Sequence, residues 1–176
     1  METKITIMSV FFENPIKNYS IRELSRILKI NHTTVRKYLN KLTKQGYLTS
    51  KKERIYMFYS LNIIKKTLNL KLYYNLEKLR KSNLITDLEQ EYDFPVIVLF
   101  GSYASAMDDE ISDIDICLIT NIKKEFLLEK YENKLNRKVS LHEYNDNFWN
   151  KAKKLNTNLI NSICNGIVLS GELEIL

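Results

Sequence analysis

Apolar positions recur along the first eighty residues at two periods, and the changes between them mark out the elements. The spacing of Ile5, Met8 and Phe12 predicts a helix from Thr3 to Glu13. It must stop at Asn14-Pro15, because a residue before proline is pushed out of the α region. Ser20-Ile-Arg-Glu23 has the form of a capping box, and the helix it opens carries Ile21, Leu24, Ile27 and Leu28 before ending near Ile30. Asn31 can cap a third helix that turns Val35, Leu39 and Leu42 inward and stops at Gly46. Tyr47 to Tyr59 has apolar flanks around a polar centre, Ser50 to Glu53, as a two-stranded hairpin does. From Asn62 to Ser82, Ile64, Leu68, Leu72, Leu76 and Leu79 predict one long amphipathic helix. That helix either pairs with its counterpart in a dimer or packs on the hairpin and the domain that follows.

The second half changes rhythm. A helix over Leu84 to Tyr92 leads through Pro95 into Val96 to Phe100, five apolar residues that read as a buried strand. Gly101-Ser102 breaks the run, and the small residues Ala104, Ser105 and Ala106 suit a tight turn into a short helix. A second apolar strand carries Asp113 and Asp115 on one face, with Ile114 and Ile116 on the other. A helix over Ile122 to Leu135, with Phe126, Leu128, Tyr131 and Leu135 as core, a strand over Lys138 to Tyr144, a helix over Asn147 to Cys164 and a strand and turn over Gly166 to Glu172 complete the chain. The expected fold class is α+β, with alternating strands and helices around a small mixed sheet.

Charge divides the chain in two. Residues 1–82 hold 18 Lys and Arg against 5 Asp and Glu, net +13, whereas residues 83–176 hold 9 against 16, net −7. Such asymmetry points to a nucleic-acid-binding front half and a differently employed back half. The expected domains are 1–61, a linker helix 62–82, and 83–176. No apolar run approaches the ~20 residues of a membrane span, and the N-terminus lacks the layout of a secretory signal, so the protein is expected to be cytoplasmic. Cys117 and Cys164 have no paired spacing for zinc or redox work and read as reduced core residues.

Two short helices joined by a tight turn and followed by a hairpin make a winged helix-turn-helix. Residues 3–61 resemble the winged helix-turn-helix domains of prokaryotic transcription regulators, most tellingly in Ile21-Arg-Glu-Leu-Ser and Thr34-Val-Arg-Lys-Tyr-Leu-Asn-Lys-Leu. The resemblance implies double-stranded DNA as partner, with the third helix in the major groove and the wing along the backbone. On this chain Thr33, Thr34, Arg36 and Lys37, with Lys51, Lys52 and Arg54 of the wing, become the DNA-binding candidates. Thr33 and Arg36 suit base edges and the lysines suit phosphates. Winged helices also serve as protein-interaction modules, which is the competing use.

In the back half, a strand ending in Gly101-Ser102, then ten residues, then Asp113-x-Asp115, sets two carboxylates opposite a phosphate-sized turn. Mg²⁺ takes oxygen ligands and is commonly held by one or two carboxylates plus substrate phosphates. This Gly-Ser-x10-Asp-x-Asp pattern resembles the DNA polymerase β-like nucleotidyltransferases, in particular their minimal members. The resemblance implies transfer of a nucleoside monophosphate from an NTP, with ATP and Mg²⁺ expected, to an acceptor hydroxyl, pyrophosphate leaving. Gly101 and Ser102 would bind nucleotide; Asp113 and Asp115 would be the catalytic, metal-holding pair. Minimal members often attach AMP to a HEPN-type toxin partner, which makes an antitoxin-like protein nucleotidyltransferase one reading and a DNA-binding regulator with a nucleotide-binding domain another. Two departures favour a third, catalytically inactive, reading. The Gly-Ser is followed by Tyr-Ala-Ser-Ala where active members usually have Ala-Arg-Gly, and Ser140 stands where a third carboxylate is expected, with His142 on its face as ligand or base.

Overall fold

The computed structural model describes residues 2–174, which divide by their contacts into two units, Met1–Tyr74 and Asn75–Leu176. In the first, α1 (Glu2–Glu13) is followed by the two-residue strand β1 (Tyr19–Ser20), α2 (Ile21–Leu28) and α3 (His32–Lys44). The capping box forms as its sequence predicts: the Ser20 backbone N–H donates to Glu23 at 2.8 Å and the Glu23 N–H donates to Ser20 Oγ at 3.3 Å. Asn31 caps α3 by accepting from the Thr34 N–H at 2.8 Å. Gly46 ends that helix at φ +76°, and the Tyr47 N–H reaches back to the Leu42 carbonyl at 3.0 Å. β2 (Leu48–Glu53) and β3 (Tyr56–Leu61) form the hairpin, with β1 added on the far side of β3. Ser50 to Glu53 belong to β2, so the reversal falls at Arg54-Ile55 instead of in the polar centre, with Arg54 at φ +55°. Ile7, Phe11, Phe12, Leu24, Val35, Leu39 and Leu42 make the core. Ile27, expected on the buried face of α2, is 50% exposed, because a helix of eight residues turns only a narrow stripe inward.

The helix α4 (Lys65–Ser82) starts three residues later than the leucine pattern predicts and contains the boundary between the units. Its most buried positions are Thr67, Lys71, Asn75 and Leu79, one step round from Leu68, Leu72 and Leu76. In the second unit, α5 (Leu84–Glu91), β4 (Val96–Phe100), the short α6 (Gly101–Ala104), β5 (Ile114–Ile119), α7 (Glu129–Leu135), β6 (Val139–Tyr144), α8 (Asp146–Leu155), α9 (Thr157–Cys164) and β7 (Ile167–Ser170) follow in order. The sheet runs β6-β5-β4-β7, with β5 and β6 parallel and the other pairs antiparallel. Strand alternation gives it two buried faces. Ile97, Leu99, Ile114, Ile116 and Leu118 pack with Leu84, Leu88, Tyr131 and Leu135, while Val98, Phe100, Cys117 and Ile119 pack with Trp149, Ile160 and Ile163.

Two expected helices are shorter than their patterns. Residues 122–128 are not helical, because tertiary contacts claim them: the Tyr92 hydroxyl donates to the Lys124 carbonyl at 3.1 Å and the Phe126 ring stacks on Tyr131. The predicted helix over 147–164 breaks at Asn156, whose side chain accepts from the Leu159 N–H at 3.4 Å and so starts α9 afresh. Among the described residues, no helix is long and apolar enough to cross a membrane.

Candidate functional site

The apolar run of β4 ends at Phe100, and Gly101 turns the chain at φ +74°, a conformation L side chains rarely adopt. Antiparallel pairing sets Phe100 opposite Asp115, so the Asp115 carboxylate lies beside the turn. A Cβ built on Gly101 would stand 2.4 Å from Asp115 Oδ2. Glycine is therefore required twice over, for the backbone angle and for the space the carboxylate fills. The turn is closed by Ser105, whose hydroxyl donates to the carbonyls of Gly101 and Ser102, each at 3.1 Å, and by the Met107 N–H, which donates to Ser102 O at 2.9 Å.

Asp113 precedes β5 and is exposed; Asp115, two residues on, shares its face and is half-buried. The parallel ladder sets Ser140 beside Asp115 and His142 beside Cys117. Ser140 Oγ lies 3.5 Å from Asp113 Oδ2, and His142 Nε2 lies 3.8 Å from Asp115 Oδ1. The imidazole is held edge-on to the Phe100 ring, centroids 5.2 Å apart. Gly101, Asp113, Asp115, Ser140 and His142 thus meet at one end of the sheet, with Ser102 in the adjoining turn. Glu143 is on the other parity of β6 and lines a separate cleft of about 440 Å³ with Lys124 and Phe148.

Burial pushes the Asp115 carboxyl above the usual range; His142 pulls it back, and repulsion from Asp113 raises it again. A divalent cation between the two carboxylates would relieve that repulsion, so the donor set fits one. Among the described residues no group of three His, Cys, Asp or Glu is placed to hold a metal. In such a coordination shell the carboxylate pair would be the protein's share, with substrate oxygens and water completing it.

In the first unit, Thr33, Arg36 and Lys37 are exposed on α3 and Thr34 is half-buried. The Thr33 hydroxyl donates to Asn31 Oδ1 at 2.8 Å, so toward a base edge it can only accept. Arg36 and His32 line a groove of about 640 Å³ with Arg22, Ile55 and Tyr56. Lys51 and Lys52 alternate to opposite faces of the hairpin, and Lys51 is paired with Glu53 at 3.1 Å. Arg54 is exposed at the hairpin reversal. Sequence pattern missed Arg22, because it lies inside the capping-box segment. It missed Asn75, Asp108 and Arg137 as well, since nothing in linear order marks polar residues that will be buried together.

A search of curated proteins found no match. Residues 2–50 match the family described as bacterial regulatory protein, arsR family, which makes the front of the chain a helix-turn-helix of the DNA-binding regulator type. Residues 82–170 match the family described as polymerase beta, nucleotidyltransferase, whose members typically use an NTP and a divalent metal. That match takes in half of the chain and contains every residue of the strand-end site, and the chain belongs to the polymerase beta nucleotidyltransferase family, with an arsR-type helix-turn-helix at its N-terminus.

Proposed function

We propose that this protein is a DNA-binding transcriptional regulator whose second domain binds Mg²⁺–ATP and transfers AMP to a protein hydroxyl, the acceptor oxygen replacing pyrophosphate at the α-phosphorus and losing its proton, with a HEPN-type toxin as the acceptor class. The observation that carries the reading is the fit of the Asp115 carboxylate into the space left by the missing side chain of Gly101. It brings the Asp115 carboxylate of β5 against the turn that follows β4. Asp113 and Asp115 would hold Mg²⁺, and the ion would neutralise charge on the reacting phosphate. Gly101 admits the triphosphate close to the backbone. Ser102 supplies a hydroxyl to its oxygens. Arg36 and Lys37 would read and grip the operator, with Lys52 and Arg54 on the flanking backbone.

A second reading, nucleotide binding without transfer, is favoured by one observation: Ser140, beside Asp115 in the ladder, brings no charge to the acid pair. The ion that activates the attacking hydroxyl would then lack a ligand.

One experiment separates the two. The protein is incubated with ATP labelled at the α-phosphate, Mg²⁺ and cell lysate, in wild-type, Asp113→Asn, Asp115→Asn and Ser140→Asp forms, and Mg²⁺–ATP binding is followed by calorimetry. The first reading expects label on a protein in wild type and none with either Asn variant. Binding without label, with label appearing only in Ser140→Asp, establishes the second. Absence of Mg²⁺–ATP binding in the wild type refutes both.

A further inference from the structure

Between the two halves of the Gly-Ser-x10-Asp-x-Asp stretch lies a buried polar network. Arg137, just before β6, has its side chain 1% exposed and faces Asp108, equally buried, with Nη2 and Oδ2 3.4 Å apart. Its Nη1 donates to the carbonyls of Asp109 and Ser112, the latter at 3.1 Å. The guanidinium also lies over the Tyr103 ring, 5.7 Å from its centroid. On the other side of Asp108, Asn75 Nδ2 donates to Oδ1 at 2.9 Å and to the Tyr103 carbonyl at 3.0 Å.

A buried ion pair is weak evidence for stability, because desolvation offsets most of its attraction. What this one does is geometric. A planar guanidinium presents several donors in a fixed fork, which a lysine ammonium cannot reproduce. Here one arm of the fork spans the carbonyls of residues 109 and 112, and the next residue is Asp113. The same turn is closed locally by Ser112, whose Oγ accepts from the Asp109 N–H at 3.0 Å and donates to Asp109 Oδ1 at 2.7 Å.

We propose that Arg137 is a positioning residue for the acid pair: by clamping the 109–112 turn it holds Asp113 beside Asp115 before any metal binds. The proposal rests on the metal-binding reading of that pair given above. Its test has two readouts, Mn²⁺ binding followed by electron paramagnetic resonance and hydrogen exchange of the 109–113 amides in metal-free protein. Arg137→Lys keeps the charge facing Asp108 and loses the fork. It should weaken Mn²⁺ binding by about 10- to 100-fold, the usual cost of removing support behind a ligand, and speed exchange in that turn alone. Arg137→Gln, which can still serve one carbonyl, carries the same expectation should the lysine variant not fold. Leu88→Ala, a core truncation on α5, should lower stability and leave Mn²⁺ affinity unchanged. Wild-type affinity and exchange in the Arg137 variants overturn the proposal, as does an equal loss of Mn²⁺ binding in Leu88→Ala. Should wild type bind no Mn²⁺, the metal-binding reading fails, and exchange alone then decides whether Arg137 orders the turn.

Discussion

Adding one methyl group at Gly101 should disable the site more than it destabilises the fold. An L residue held at φ +74° costs about 1–2 kcal/mol. The new Cβ would also meet Asp115 Oδ2 at 2.4 Å and Cγ at 3.2 Å, while the rest of Asp115 is no nearer than 3.5 Å. The clash is with the tip of a side chain that can rotate, so relief by an off-rotamer Asp115 adds only about 0.5–1.5 kcal/mol. Gly101→Ala should therefore lose about 1.5–3.5 kcal/mol in denaturant titration. The same rotation takes one of the two carboxylates out of position, and Mg²⁺–ATP affinity by calorimetry should fall by about tenfold or more. In an Asp115→Ala background the clash is gone and only the backbone part, about 1–2 kcal/mol, should remain. Wild-type Mg²⁺–ATP affinity in Gly101→Ala, or an identical stability loss in both backgrounds, would refute the reasoning.

The raised pKa of Asp115 sets a sign for stability. A carboxyl that binds its proton more tightly when folded favours folding below its unfolded pKa, and that contribution is lost as pH rises through the folded value. Asp115→Asn should therefore stabilise the metal-free protein at about pH 7, with a gain that shrinks toward about pH 4; denaturant titration that finds a loss at neutral pH would contradict this. On the DNA side, the charge of Lys51 is partly compensated by Glu53. Lys52→Ala should accordingly flatten the plot of log affinity against log salt by about 0.9, and Lys51→Ala by less. Arg36→Ala should instead relax preference at one base position, by about 1–3 kcal/mol in competition binding, and uniform weakening on all sequences would make it a phosphate contact.

Local signals were the most legible part of the chain. Ser20-x-x-Glu23, Asn31 and Gly46 each act within a few residues, and each forms the contact its chemistry predicts. The meeting of Gly101 with Asp115 was legible too, because a strand-ending glycine and a strand-borne acid pair imply neighbouring strands. Periodicity failed where polar groups are buried. On α4, Leu79 is buried as its spacing predicts, but Leu68, Leu72 and Leu76 each lie one residue off the buried line, where Asn75 turns inward to serve Asp108 and Tyr103, and hydrophobic spacing cannot register a buried amide. It failed again at residues 122–128, where the Tyr92 hydroxyl donating to the Lys124 carbonyl and the Lys124 ammonium donating to the Glu91 carbonyl outweigh a helical pattern.

Cys117, two residues beyond Asp115 and fully buried beneath the same face, gives the acid-bearing strand a built-in clock. Burial, and then the neighbouring Cys164, push its thiol up to about 12, so the folded protein holds almost no reactive thiolate there. Alkylation of Cys117 has to wait for β5 to part from its neighbours. Its labelling rate therefore counts how often the sheet opens beneath the two carboxylates, and slowing of that rate by metal or nucleotide would report ligand binding without any chemistry taking place.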